Sequence, residues 1–248
     1  MPVPRVGSLS ALSSRPSATA ASVADEALCL AGAALVPDTS GIIYWPEQRL
    51  LAVADLHLEK GSSYAERRVL LPPYDTAATL ARLGQAIAAY APRTVIALGD
   101  SFHDGRGPSR LADTDRMTLR DLQRGREWLW VLGNHDPEPA GNIGGQFAAE
   151  FRIGGLIFRH TPEGADDGVV AGHLHPVARV AGRGRAVSRR CFAADERRVV
   201  MPAFGAYTGG LNVRSPAFAN VFETLDFTAH MLGQQRVYAV SAKRCLPD

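Results

Sequence analysis

The chain has 248 residues, 46% hydrophobic and 21% charged, with a net charge of +2. That balance suits one large soluble domain with its own core, and no apolar run approaches the roughly 18 residues needed to cross a bilayer. The three cysteines (Cys29, Cys191, Cys245) are odd in number, widely spaced and free of any CxxC pattern, which favours a reducing, cytoplasmic setting over a disulfide or zinc-finger framework. Residues 1 to 27 are rich in Ser, Ala and Pro and read as a disordered tail; a transit peptide and an over-called start codon are the alternatives. Residues 28 to 248 read as the folded, catalytic part.

Ala33 to Pro37 and Ile42 to Trp45 read as strands joined by the turn residues Asp38 to Gly41. Leu50 to Ala54 is apolar throughout, as expected of a strand buried on both faces. Pro72 and Pro73 are read as opening a helix that runs to about Tyr90, with Leu80, Leu83 and Ile87 on one side. Val95 to Leu98 reads as a buried strand and the charged Asp113 to Glu127 as an exposed helix. Further strands are expected at Trp128 to Leu132, Leu156 to Arg159 and Val169 to Ala171. Val187 to Ala193 and Arg198 to Ala203 should pair across Ala194 to Arg197, and Val237 to Ser241 closes the series. Strands alternating with helices, then a run of strands, indicate a mixed α/β sandwich.

Six of the seven histidines fall in or beside short polar clusters at strand ends. The clusters are DLH (Asp55, His57), GD (Asp100), GNHD (Asn134 to Asp136), RH (His160) and GHLH (His173, His175). Alternate residues of an extended segment point the same way, so Asp55 and His57 can reach one ion. A carboxylate at Asp100 can bridge two cations. Asn134 offers a neutral oxygen, and His160, His173 and His175 offer imidazole nitrogens. This mixture suits manganese first, with iron and zinc as alternatives. Two divalent ions in such a site support hydrolysis by an activated hydroxide.

His135 follows Asn134 and is placed to protonate a leaving oxygen as general acid, with Asp136 holding its tautomer. His103, three residues beyond Asp100, reads as a phosphate contact or second proton donor. Glu59 and Lys60 offer an ion pair or a phosphate contact, with neither favoured. Gly205, Gly209 and Gly210 read as tight turns near the site. Pro176 to Phe192 carries Arg179, Arg183, Arg185, Arg189 and Arg190 with no acid. Of these, Arg183, Arg185, Arg189 and Arg190 are candidates for holding phosphates, with a solvated hairpin face as the alternative.

In the order DxH, GD, GNHD, H, GHxH, the clusters resemble the signature of the calcineurin-like binuclear metallophosphoesterases, over about Ala33 to Tyr207. The resemblance implies a four-layer α-β-β-α sandwich of two mixed β-sheets. It also implies one metal on Asp55, His57, Asp100 and His175, and a second on Asp100, Asn134, His160 and His173. The strings VADLHLEKGSSYAERR, LGDSFHD, LGNHD, AGHLHP, RRCF and MPAFGAYTGGLNV are similar to one narrower group, the ligase-associated DNA damage response endonucleases. That likeness implies a phosphodiesterase acting on DNA in repair, with association with a DNA ligase and a helicase. A metal pocket reaches a flexible single strand more easily than a duplex, so unpaired DNA is the expected substrate. A phosphatase or phosphodiesterase for a small nucleotide or phosphoprotein is the alternative. No membrane contact is expected, and a homodimer is left open.

Overall fold

In a computed structural model, the described residues are 27–182 and 184–248. The N-terminal tail, apart from residue 27, and Arg183 lie outside them. Two mixed sheets face each other. The first has seven strands in the order β1 (Leu28–Leu30), β2 (Ala33–Pro37), β3 (Ile43–Trp45), β4 (Leu50–Val53), β5 (Thr94–Leu98), β6 (Glu127–Val131) and β7 (Gln146–Ala148). Pairing is antiparallel from β1 to β4 and parallel from β4 to β7.

The second sheet has nine strands. Its main path runs β14 (Leu211–Asn212), β11 (Pro176–Ala181), β12 (Ala186–Ala194), β13 (Arg198–Val200), β10 (Val169–Ala171), β9 (Leu156–Arg159) and β8 (Glu150–Ile153). The hairpin β15 (Thr228–Leu232) and β16 (Val237–Ser241) joins it through β12.

Alternation along the central strands explains why they are apolar throughout. Leu50, Ala52, Ile96, Leu98, Leu129 and Val131 face the second sheet and meet Leu156, Phe158, Val170, Phe192 and Met201. Leu51, Val53, Val95, Ala97, Trp128 and Trp130 face the other way and pack on helices, through Leu80, Leu83, Ile87 and Leu119. A strand covered on both faces has no polar side to show. The outer face of the second sheet is covered by residues 213–227, including the 3-10 turn Pro216–Asn220, through Val213, Phe218, Phe222 and Phe227. Among the described residues, no helix is long and apolar enough to cross a membrane.

Four α-helices are described: α1 (Lys60–Glu66), α2 (Asp75–Tyr90), α3 (Gly107–Arg110) and α4 (Asp113–Gln123). Pro72 and Pro73 precede α2 rather than opening it, because its N-cap is Tyr74. Helix α4 stops at Gln123 rather than Glu127, because Gly125 turns left-handed (φ 74°) and Glu127 already begins β6. Its Leu119 is also buried rather than exposed.

Phe158 is 1% exposed between the sheets. Phe158→Ala should lower the free energy of unfolding by about 3–5 kcal/mol, read by equilibrium denaturation. A loss under about 1 kcal/mol would mean the sheets are not locked together there.

Candidate metal centre

The parallel strands β4, β5 and β6 end side by side, and the candidate residues lie just beyond those ends and beyond β9 and β10. The loops are tied to one another by backbone. His57 N donates to Asp100 O (2.9 Å), Leu58 N to Ser101 O (2.9 Å) and His103 N to Leu58 O (2.9 Å). The segment after β13 closes the far side, with Phe204 N donating to Ala54 O and Gly205 N to Asp55 O.

Asp55, His57, Asp100, His173 and His175 all have left-handed backbone, with φ between 42° and 72°. Residues other than Gly, Asn and Asp visit this region sparingly. This overturns the strand-alternation argument for Asp55 and His57: β4 has already ended, and a left-handed kink at each residue aims the pair. Glu59 shares the conformation (φ 63°). Its carboxylate accepts from the hydroxyls of Thr76 (3.0 Å) and Ser62 (2.6 Å), and its N–H donates to Thr76 Oγ1 (2.9 Å). Burial raises its pKa.

The candidates form three groups, one of them His57, His103 and His135 and the other two each with a carboxylate. Asp55, His57 and His175 have donor atoms within 4.8 Å of one another, and so do Asp100, His160 and His173. Asp100 Oδ2 faces His57 Nε2 (3.8 Å), while Asp100 Oδ1 faces His160 Nε2 (3.4 Å). Asn134 Oδ1 lies 2.8 Å from His160 Nε2, and His173 Nδ1 lies 3.1 Å from the same nitrogen. His175 Nε2 lies 3.2 Å from Asp55 Oδ1. His160 Nδ1 is 3.0 Å from Leu98 O, so a proton on Nδ1 turns Nε2 toward the cluster.

Burial and charge compete strongly here. Burial alone would raise the Asp100 carboxyl, but His160 and the His135 N–H hold it down at about 2. Burial alone would lower His160, but Asp100 and Asp55 push it up to about 9. Burial, with the neighbouring histidines, takes His57 down to about 3 against the pull of Asp100. Burial and then His160 lower His173.

These residues fit divalent metal ions. Both ring nitrogens of His57 and Nε2 of His175 are buried without a hydrogen-bond partner, which normally costs about 1–3 kcal/mol for each group. Asp55 and Asp100 are buried, and among the described residues their side-chain ion pairs are with histidines alone. Cations between the two groups would satisfy both deficits. Oxygen and imidazole donors together suit first-row divalent ions.

His135 stands at the edge of the cluster with its side chain 40% exposed and Nε2 4.0 Å from Asp100 Oδ2. Its Nδ1 lies 2.8 Å from His103 O. That carbonyl can only accept, so it places a proton on Nδ1 and presents Nε2. Asp136 therefore does not orient the ring. Its oxygens accept instead from Ser101 N (2.8 Å), Phe102 N (3.0 Å) and Gly133 N (3.1 Å), pinning the Asp100 loop to the Asn134 loop. Burial nonetheless raises Asp136 to about 6.

The His103 ring stacks on His135 (centroids 5.3 Å) and stands 5.5 Å from Tyr64. Burial, then Lys60 and His135, lower its pKa. Lys60 pairs with neither Glu59 nor any other acid among the described residues; its Nζ donates to Tyr207 O (2.9 Å). Thr76 and Tyr64 escaped the sequence reading because Thr76 acts through Glu59 and Tyr64 through the His103 ring.

Among the described residues, the arginines of the basic stretch are not gathered onto one surface. Arg185 sits beside the hairpin turn, at the far end of six-residue β11, about 17 Å along the strand from Pro176 at 3.3 Å per residue. Arg189 and Arg190 are consecutive on a strand and so face opposite ways. Arg189 lies opposite Ala178, on the outer-core face. Arg190 is half-buried and donates to Ala203 O (3.0 Å). Gly205 packs against the site for close approach, since a Cβ there would meet Leu56 O at 2.3 Å.

Two buried carboxylates just beyond the ends of parallel strands, ringed by imidazoles, are a donor set suited to divalent metal ions. The chain belongs to the calcineurin-like phosphoesterase family, whose model matches residues 48–187, and it is a phosphoester hydrolase. Among solved structures, it is similar to the nuclease MPE of Pseudomonas putida, with 29% identity and a TM-score of 0.65 over 86% of this chain and 98% of that one. The E. coli phosphoesterase Yfce aligns at 15% identity and a TM-score of 0.38, over 78% of this chain and 98% of that one. No curated protein matches.

A Cβ on Gly133 would lie 2.2 Å from Asp100 N and 2.3 Å from Asp100 Oδ1. Gly133→Ala should therefore displace the central carboxylate and cut phosphoesterase activity by about 10², with the circular dichroism spectrum kept. Activity within threefold of wild type would show that Asp100 need not sit where it does.

Proposed function

We propose that this phosphoester hydrolase is a DNA endonuclease that cuts phosphodiester bonds in unpaired strands. Two divalent cations, manganese foremost, would be held by Asp55, His57, Asp100 and His175 on one side and by Asp100, Asn134, His160 and His173 on the other. Bound there, they supply Lewis acidity that activates water and draws charge from the phosphoryl oxygens.

The observation that carries the reading is the setting of His135. The His103 carbonyl fixes its Nδ1 proton, which leaves Nε2, beside Asp100 on a half-exposed ring, as the second nitrogen. From Nε2 the imidazolium can hand a proton to a departing oxygen. A sugar alkoxide, with a conjugate-acid pKa of ~15–16 by analogy with water, needs that proton. Asp100 Oδ2 lies 4.0 Å from Nε2. His103, stacked on His135, is proposed to contact the phosphate beside it.

The likeness to a nuclease supports nucleic acid as the substrate. The repair setting, and association with a ligase and a helicase, rest on the similarity of the sequence strings. The three free thiols suit a cytoplasmic setting. The proposed site draws all its side chains from one chain, so it does not require a homodimer. Arg185 and Arg189, exposed along the hairpin, are proposed to attract the strand at long range, as is Arg183.

His135→Ala should lose DNA cleavage by about 10²–10⁴ at matched metal occupancy. It should keep most hydrolysis of bis-p-nitrophenyl phosphate, because a nitrophenolate is less basic than an ordinary phenolate near pKa 10 and leaves unaided. Equal losses on both substrates would remove the proton-donor role. Wild-type protein that hydrolyses small monoesters and leaves DNA intact would replace the nuclease reading with the small-substrate one.

A further inference from the structure

Among the described residues, three of the six exposed large hydrophobic side chains fall in one six-residue window: Val69 (48% exposed), Leu70 (86%) and Tyr74 (69%). They belong to the loop from α1 to α2. Single exposed apolar residues are ordinary, whereas exposed apolar residues brought together on one loop are a feature of interaction surfaces. This loop borders the metal centre. It leaves α1 one turn beyond Tyr64, whose ring faces His103, and Tyr207 OH ties it down by donating to Pro72 O (3.0 Å).

The way α1 ends gives an independent reason to single out this loop. Arg68 N donates to Ala65 O (2.9 Å) and Val69 N to Tyr64 O (3.0 Å), the paired bonds of a Schellman cap. The left-handed residue of that cap is usually glycine. Here it is Arg68, at φ 62°, which brings a guanidinium into the loop. Arg67 precedes it and is also exposed. Neither arginine has an ion pair among the described residues, whereas nearby Glu66 is held by Arg106 (2.8 Å) and Arg110 (3.8 Å). The loop thus offers uncompensated positive charge beside exposed apolar and aromatic surface.

We propose that Arg67, Arg68, Leu70 and Tyr74 form a ledge that binds single-stranded DNA on the α1 side of the bond being cut. The inference rests on the nuclease reading above and adds where the strand lies. A single strand presents alternating phosphates and unstacked bases. The guanidiniums take the phosphates, and the Tyr74 ring and Leu70 take a base face. A duplex keeps its base faces stacked inside and gains only the charge contacts.

The test uses manganese-loaded protein, an oligodeoxythymidine strand, a dinucleotide and bis-p-nitrophenyl phosphate. Tyr74→Ala should raise KM for the long strand about tenfold, the loss of one stacked base, with KM for the dinucleotide unchanged. Tyr74→Phe keeps the ring and should keep KM. Arg68→Gly should lower the salt dependence of strand binding by about 0.7 in log–log slope. Its melting temperature should hold or rise, since glycine fits the left-handed cap.

Unchanged long-strand KM in Tyr74→Ala, or an unchanged salt slope in Arg68→Gly, overturns the ledge. So does a shift in sedimentation mass with strand binding intact, which would make the loop a protein-docking surface. If wild-type protein hydrolyses the nitrophenyl ester and never cuts the strand, the nuclease reading fails, and the ledge with it.

Discussion

Five of the seven proposed ligands are held in left-handed backbone, and the site depends on that constraint. At roughly 1 kcal/mol or more for each of the three histidines in that conformation, the fold carries strain on the order of 3 kcal/mol around one point. It is retained because the surroundings over-determine it. Backbone bonds from His57 N to Asp100 O, and from Gly205 N to Asp55 O, lock the loops to one another. The Asp55 carboxylate accepts His173 N at 3.1–3.2 Å, joining the first and last clusters, which lie 118 residues apart. Strand ends alone would send side chains up and down alternately. The left-handed turns converge them.

Convergence brings an electrostatic cost that shapes the chemistry. Asp55 and Asp100 are buried away from lysine and arginine, facing imidazoles whose own protonation burial opposes. Buried charge is tolerated only when paired or ligated. A pair of divalent cations is the partner that such a donor set matches. The unpartnered nitrogens of His57 and His175 fit the same partner. His135 stands at the rim of this cluster, half-exposed, with Nδ1 hydrogen-bonded to a backbone carbonyl and Nε2 4.0 Å from Asp100.

Much of this was legible in the sequence. The strands at Ala33–Pro37, Leu156–Arg159 and Val169–Ala171 were read to the residue, because doubly buried or alternating runs bounded by turn residues have few other interpretations. The clusters at strand ends were visible because His and Asp are rare directly after apolar runs. What escaped were features made by long-range backbone contact. Helix α1 begins at a left-handed Glu59 with no side-chain cap, so it lacks a start signal. The half-buried strands β7 and β8 carry too little apolar pattern to stand out. Asp136 looked like a partner for adjacent His135, yet three backbone amides claim it, two of them 34 and 35 residues away. The arginine-rich stretch looked like one basic patch. Strand alternation and the length of the hairpin disperse it.

The central claim is that one chain assembles two cation sites sharing Asp100. Metal-stripped protein titrated with manganese, with bound ions counted per chain by elemental analysis, tests it most directly. The account predicts two ions per wild-type chain, and impaired occupancy at both sites, not one, in Asp100→Ala. A wild-type chain that binds a single ion, or an Asp100→Ala chain that keeps both, would contradict it.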